Sequence, residues 1–422
     1  MIRITNKNSC CGCAACVQRC PKQCILMKED EEGFFYPQVN YSSCIDCGLC
    51  EKVCPMLNTA KSHEPMTVYA AKNCNVGQRM KSSSGGMFIA LAEYVIENGG
   101  VVFGAVYDEE WNVKIEYARE EEQLRKMIGS KYVQASVGNS YIMAKRFLQE
   151  GILVMFTGCS CQIAGLKSFL RKDYTNLFCV DLLCHGVPSP RAWTAYVEEL
   201  QKAADKAAVG KNSVLHLSLN AMPLIEGIEF RNKTQYGWKK FSFVVRQKSA
   251  EKVDKNTVLV SDIHYKNPYM KGFLNNLFLR RSCYDCLFRR GESQSDMTIA
   301  DFWGISKLFP DFDDDKGVSL VLVNTIKGKN MLDAIPLELR LSSYKEVKPL
   351  NGGFVEHSKM HPKRDVFFDS LIRLNFSFSK ALNMALRLSA SQRCKMLSKR
   401  CLRKSLRIMG LGNTSLYKSL SK

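Results

Sequence analysis

Between Val68 and about Asn324, short apolar runs alternate with longer stretches whose apolar positions recur at helical spacing. Met87 to Asn98 reads as a helix, with Ser84 as its N-cap and Gly99 as its stop. Val101–Tyr107 reads as a strand, Ile152–Phe156 as a short buried strand, Gln162–Leu170 as a helix and Leu177–Leu183 as a strand. Ala192–Ala208 is helical in pattern. Leu215–Leu219, Glu226–Phe230 and Phe241–Arg246 look like strands of a β-rich insertion, and Val318–Val323 is a late buried strand. Strands alternating with helices predict an α/β domain with a largely parallel sheet. The most apolar stretch, Met87–Tyr107, is broken by Glu93, Glu97, Asn98, Gly99 and Gly100, so no run of about 20 apolar residues predicts a transmembrane helix. The start, MIRITNKNSCCGC, lacks the apolar core of a secretory signal.

A polar, proline-containing stretch from Thr59 to Thr67 separates this pattern from what precedes it. The expected domains are a cysteine-rich unit over 1–60, of α+β ferredoxin-like fold, and the α/β domain over 67–345, in parts 67–150 and 151–345. An extension with a helical basic tail follows over 346–422. The 422 residues, 46% hydrophobic and 24% charged, have the balance of a soluble globular protein. The net charge of +19 is uneven: residues 380–422 hold eleven Lys and Arg and no acid. There Leu382, Leu386, Ala390, Cys394, Leu397, Cys401 and Met409 recur at helical spacing. A basic amphipathic helix suits peripheral contact with an anionic membrane surface or an acidic partner. Its plainer reading is a helix packed on the domain with its basic face in water. No nucleic-acid motif accompanies the charge, and nucleic-acid binding is not expected.

Nineteen cysteines without a secretion signal point to a reducing, cytoplasmic setting, where they serve metals or redox chemistry. Cys10, Cys13, Cys16 and Cys20, followed by Pro21, have the spacing C-x2-C-x2-C-x3-C-P. Cys44, Cys47, Cys50 and Cys54, followed by Pro55, repeat it. In this bacterial-type motif the fourth cysteine serves the other cluster. One [4Fe–4S] cluster is therefore assigned to Cys10, Cys13, Cys16 and Cys54, the other to Cys44, Cys47, Cys50 and Cys20. Zinc usually takes two separated pairs, a poorer match. Cys11 and Cys24 are spare and read as small buried residues. Such clusters move single electrons, so something downstream must accept them.

Cys161 and Cys184 each follow a predicted strand, at the carboxyl ends where open α/β sheets place their sites. Cys283 and Cys286 form a later C-x2-C pair. The four thiols suffice for a third [4Fe–4S] cluster. A redox disulfide, half a zinc site or plain packing are the other readings. Arg280, Arg281, Arg289 and Arg290 flank the pair and would offset thiolate charge, hold an anionic substrate or form a basic surface loop. Lys81–Gly86 is a small-residue turn before a helix, suited to a phosphate or to simple capping. His185, beside Cys184, is a catalytic proton-donor candidate or merely a hydrogen-bonded loop residue.

Taken in order, the paired cysteine motifs, Ser82–Asp108, GSKYVQAS (Gly129–Ser136), FTGCSCQIAGLK (Phe156–Lys167), DLLCHGVPSP (Asp181–Pro190), SCYDCLF (Ser282–Phe288) and SDMTIADFWGI (Ser295–Ile305) resemble the coenzyme F420 hydrogenase/dehydrogenase beta-subunit family. The resemblance implies a flavin, FAD or FMN, in the α/β domain, with Ser83, Ser84, Gly85, Gly86, Lys131 and Tyr132 as contacts. It also implies a further cluster on Cys161, Cys184, Cys283 and Cys286. Where the family has Thr-Pro before the loop cysteine, this chain has Cys159-Ser160, so Cys159 competes as a ligand. The implied activity is an iron–sulfur flavoprotein oxidoreductase linking a ferredoxin-like protein to an organic small-molecule substrate. Family members are similar to deazaflavin-reducing subunits, to vinyl reductases and to proteins of polysaccharide gene clusters. A chain of this kind can equally be an electron-transfer subunit that serves a partner redox protein.

Overall fold

In the computed structural model, which describes residues 1–59, 64–209, 225–248, 256–289, 293–354 and 357–387 with positions 398, 402, 405 and 406, the two cysteine repeats have matching backbones. Each passes through two left-handed residues, Gly12 (φ 74°) and Ala14 (φ 58°) in the first, Asp46 (φ 45°) and Gly48 (φ 69°) in the second. Each then opens a short helix, α1 (Ala15–Arg19) or α2 (Leu49–Lys52). A left-handed Ala or Asp costs about 1–2 kcal/mol, so Ala14 and Asp46 mark turns that the cysteine loops impose. Between the repeats an antiparallel hairpin pairs β1 (Ile25–Glu29) with β2 (Phe35–Val39). Asp30 closes its turn by accepting from the Glu32 and Phe34 amides.

The remaining strands build an eight-stranded sheet and a three-stranded insertion. The large sheet comprises β3 (Thr67–Asn73), β4 (Val101–Tyr107), β5 (Val113–Ala118), β6 (Val154–Cys159) and β7 (Leu177–Leu182). After the insertion, β8 (Ile225–Asn232), β9 (Ser242–Lys248) and β10 (Asn256–Ile263), it gains β11 (Met297–Asp301), β12 (Ser319–Val323) and β13 (Leu337–Ser342). Its order is β13-β3-β12-β11-β7-β6-β4-β5. The central pairs β4–β6, β6–β7 and β7–β11 are parallel, and every outer pair is antiparallel. The expected parallel sheet is thus a parallel centre with antiparallel flanks. On one flank the cause is local: Asp108–Asn112 is a tight turn, too short for the crossover that parallel strands need.

Helices cover both faces. α3 (Val76–Lys81) precedes α4 (Met87–Glu97), which packs with α5 (Glu121–Met127) on Val102, Met155, Phe178 and Val180. α6 (Ser140–Gln149) and α7 (Ser160–Leu170) cover the alternate residues Val101, Phe103, Val154, Phe156 and Leu177. This is the two-residue period of a strand buried on both sides. α8 (Pro190–Val209) follows the sheet's centre, and α9 (Pro268–Leu274) follows the insertion. Ser84 does not cap α4. Its Oγ donates to the Val318 carbonyl at 2.9 Å, and left-handed Gly86 occupies the N-cap. The segment Leu215–Leu219 lies outside the described residues.

The cysteine-rich segment packs on the α6/α7 face, and Cys11, Cys13, Ala15 and Val53 share its core. Gln18 Oε1 accepts from the Tyr141 and Ile142 amides at the start of α6. At Gly165 of α7 an added Cβ would lie 2.8 Å from Cys13 Cβ and 2.9 Å from Tyr141 Oη. Residues 1–362 form one compact unit and residues 363–422 another. In the second, the helices Arg364–Phe368 and Phe378–Leu386 bury Phe367, Phe368, Phe378 and Leu382. Most of the expected basic tail beyond Leu386 lies outside the described residues. Among the described residues no helix is long and apolar enough to cross a membrane.

Gly165→Val is expected to cost about 1–3 kcal/mol by overpacking against Cys13. Gly352→Ala, whose added Cβ meets nothing within 4 Å, should leave thermal unfolding unchanged. Equal melting temperatures for the two variants would contradict the close approach at Gly165.

Candidate functional site

The left-handed turns and short helices bring the eight N-terminal thiols to two cavities. Cys10, Cys13, Cys16 and Cys54 line one of about 340 Å³, with Cys11 and Met56 on its wall. Cys20, Cys44, Cys47 and Cys50 line one of about 350 Å³, together with Cys24. Among the described residues no three His, Cys, Asp or Glu side chains converge on a single-ion position; the thiols ring a volume instead. Backbone amides aim at the sulfurs. Gly12 N–H donates to Cys10, Ala15 N–H to Cys13, Val17 N–H to Cys16, Met56 and Leu57 N–H to Cys54, and Ile2 N–H to Cys50 at 3.3 Å. Such donors favour the thiolate against burial, and soft thiolate sets suit iron–sulfur clusters. The donor chemistry therefore fits [4Fe–4S] groups in both cavities. Cys47 is the exposed member. Spare Cys24 lies 3.4 Å from Cys20, sulfur to sulfur.

Arg280 ties the first cavity to a third. Its side chain is fully buried. Nε donates to the Cys10 carbonyl at 2.8 Å, Nη2 to the Phe35 carbonyl at 3.0 Å and to Cys10 Sγ at 3.5 Å, and Nη1 to Gln134 Oε1 at 3.0 Å. The guanidinium also stacks on Tyr36, 4.2 Å from the ring centroid. Its own carbonyl accepts from the Cys283 amide at 2.9 Å. Burial pushes the Cys10 thiol up to about 11, and the Arg280 charge opposes that rise. Arg289 is a second clamp, donating to the Gly352 and Gly353 carbonyls and to Ser358. Arg281 faces Glu32 at 3.4 Å. Arg290 lies outside the described residues.

The third cavity, about 680 Å³, is lined by Cys161, Cys184, Cys283 and Cys286, by Cys159, and again by Cys11 and Met56. β6 and β7 end here, as the sheet rule places sites. Gly186 N–H donates to Cys184 Sγ at 3.3 Å, Val187 N–H to Cys283 Sγ at 3.4 Å and Phe288 N–H to Cys286. The Cys159 thiol beside Cys184 holds that thiol down, to about 7. The neighbouring Cys11 and burial instead push the Cys161 thiol up. The thiols and amide donors again fit an iron–sulfur group. His185 lines the same cavity, but its Nε2 pairs with Asn276 Oδ1 at 2.6 Å and burial lowers its pKa.

The small-residue turn meets the loop of Lys131 and Tyr132. Ser83 Oγ accepts from the Ser130 amide at 2.7 Å and from its hydroxyl at 2.9 Å. Gly85 leaves no room for a side chain, since an added Cβ would lie 2.4 Å from the Ala71 carbonyl oxygen. Two amines flank this turn. Lys131 Nζ donates to the carbonyls of Met127, Ile128 and Gly129, and Lys233 Nζ to those of Arg79, Ser84 and Lys316. Neither makes an ion pair among the described residues, and desolvation lowers both to about 7. α4 begins beside them with no side-chain cap and no acid in its first turn. A half-buried and a buried amine beside an uncapped helix start could hold a phosphate-bearing group. The Tyr132 ring stacks on Phe273 at 4.7 Å, and Phe273 meets His185 at 5.0 Å. Rings thereby connect this turn to the third cavity.

Several residues carry no sequence signal. Lys233 and Arg231, which pairs with Asp301 at 2.7 Å, come from the insertion. Asp181 is buried at the third cavity, where Ser293, Ser295 and Thr298 donate to it and burial raises its pKa. Asp181 opens the DLLCHGVPSP segment, but nothing in the sequence marks it as buried at this cavity.

Residues 152–347 match the family model for the C terminus of the coenzyme F420 hydrogenase/dehydrogenase beta subunit, and residues 68–142 the model for its N-terminal part. Residues 9–58 match a 4Fe-4S dicluster domain. Curated relatives include ketoisovalerate oxidoreductase subunit VorC of Methanothermobacter marburgensis, 31% identical over 62 residues, which are 14% of this chain and 78% of that one. Pyruvate synthase subunit PorD of Thermotoga maritima is 40% identical over 52 residues, 12% of this chain and 48% of the other. A 7Fe ferredoxin of Hydrogenibacillus schlegelii is 49% identical over 43 residues, 10% and 49%. The chain thus spans about half the length of the last two. Among solved structures, a chain from the F420-reducing [NiFe] hydrogenase complex of Methanosarcina barkeri aligns with a TM-score of 0.43 and 16% identity, covering 81% of this chain and 94% of that one.

Arg280→Met is expected to lose about 1–3 kcal/mol of stability for each buried carbonyl left without a donor. It should also shift the reduction potential at the adjacent thiol set to more negative values, because a positive charge is gone. Arg280→Lys restores the charge without the planar fork, so it should recover potential more than stability. Thermal unfolding and an anaerobic redox titration check both; unchanged values in Arg280→Met would remove the clamp.

Proposed function

Because the chain belongs to the coenzyme F420 hydrogenase/dehydrogenase beta-subunit family and carries a 4Fe-4S dicluster domain before it, we propose that it is an iron–sulfur flavin oxidoreductase. Electrons enter singly from a ferredoxin-like protein or a partner redox protein. Cys44, Cys47, Cys50 and Cys20 hold the outer cluster, and Cys10, Cys13, Cys16 and Cys54 the inner one. Cys161, Cys184, Cys283 and Cys286 hold a third. One observation carries this reading: the first and third thiol-lined cavities share two wall residues, Cys11 and Met56. A flavin, when bound, exchanges electron pairs with an organic substrate, chemistry that single-electron clusters lack.

The protein's part is to hold and to separate. Arg280 fixes the spacing of the inner set against Cys283. The α4 start and the Lys131 and Lys233 amines offset the charge of a flavin phosphate. Phe273 and His185 fill the space between the Tyr132 loop and the third set and keep water out of it. Asn276 anchors the His185 ring, which gives that residue a packing role more readily than proton transfer.

Anaerobic iron and flavin analysis of the full chain tests this reading. Three cubanes require about 12 irons per chain at four each, with flavin bands above the broad cluster absorption. A fully loaded protein with about 8 irons would remove the third cluster. Missing flavin bands after supplementation would leave an electron-transfer subunit. A bound phosphate stabilises the protonated Lys131 amine, whose pKa without ligand is about 7. Flavin affinity is therefore expected to be highest below that pH and to weaken as pH rises through it. Lys131→Met should bind more weakly with a shallower pH profile, read by fluorescence titration.

A further inference from the structure

Cys11 belongs to none of the proposed ligand sets, yet it lines the cavities of two of them. It shares the wall of the inner cavity with Cys13 and the wall of the third cavity with Cys161. It is 9% exposed and lines both the inner ferredoxin-type cavity and the third cavity. Its backbone is pinned: the Cys11 carbonyl accepts from Gln134 Nε2 at 3.2 Å, and Gln134 Oε1 accepts from Arg280. The following Gly12 cannot take a side chain, because an added Cβ would lie 2.7 Å from Gln134 Nε2. The wall between the cavities is thus sulfur held in place, with the Met56 thioether beside it.

We propose that Cys11 is the electron bridge between the inner ferredoxin-type site and the third site, along the sulfur series Cys13–Cys11–Cys161. The proposal rests on the cluster assignments above. One electron crosses per event; the inner site is oxidised by one electron and the third site reduced by one. Cys11 forms no bond to iron and is not itself oxidised. Transfer between buried centres slows steeply with the unfilled gap it must cross. A polarisable sulfur on the wall that both sites share keeps that gap small. Spare cysteines that only fill space would affect stability alone.

The test uses the full chain, reconstituted anaerobically and matched for iron content. After mixing with dithionite, freeze-quenched EPR spectra follow each cluster separately. Cys11→Ala is expected to slow reduction of the third cluster several-fold while the two ferredoxin-type clusters are reduced as fast as in the unmodified protein. Cys11→Ser keeps a small polar group and should slow it less, which guards against a variant that fails to fold. Adding Met56→Leu to Cys11→Ala should slow it further. Unchanged third-cluster kinetics in Cys11→Ala and in the double variant would overturn the bridge alone. An unmodified protein with about 8 irons and no third signal would overturn the third site and the bridge with it, so the iron count separates the two failures.

Discussion

Arg280 carries a full positive charge into an interior where it makes no ion pair among the described residues. A guanidinium has five N–H donors and no acceptor. Four of them are met by the Cys10 and Phe35 carbonyls, the Gln134 amide and the Cys10 thiol. Leaving such a group unsatisfied is expensive, so its partners can separate only at high cost. Those partners come from the first cysteine loop, the N-terminal hairpin and the loop before α6, while the residue itself begins the Cys283 segment. One side chain thereby commits the N-terminal repeats to one place on the α/β unit.

The other features follow from that placement. With the first cysteine loop held against Gln134, Cys13 is pressed onto α7, where only a glycine fits. α7 starts immediately after β6, so the same helix that receives Cys13 presents Cys161 from its first turn. The two thiol sets are therefore neighbours because a strand ends, a helix begins and the helix has a bare position one turn on. On the far side of the third cavity, His185 and Phe273 continue toward Tyr132 through ring contacts.

Much of this was legible in the chain. The period of the apolar residues marked α4, β4, α7 and β7 to within a few positions, and the cysteine spacing alone sorted eight thiols into the sets that line two separate cavities. What stayed hidden depends on distant partners. Arg280 and Cys10 are 270 residues apart in sequence, and an arginine beside a C-x2-C pair looks the same whether it faces water or a buried carbonyl. Cys11 looked like a packing residue because neither motif needs it; only the fold sets it between two cavities. Ser84 was a reasonable cap by type, but the Val318 carbonyl competes for its hydroxyl and Gly86 can adopt the left-handed turn without it. Strand direction at the sheet's flanks was illegible for a related reason: a buried strand has the same period whichever way its neighbour runs.

Cys47 is exposed, while Cys13, Cys50 and Cys11 are buried. The exposure of Cys47 also admits dioxygen, which attacks thiolate and iron alike. Damage in air should therefore proceed from the outside inward, beginning with the set that contains Cys47. A sample that had lost that set would still be coloured by the centre on Cys10, Cys13, Cys16 and Cys54.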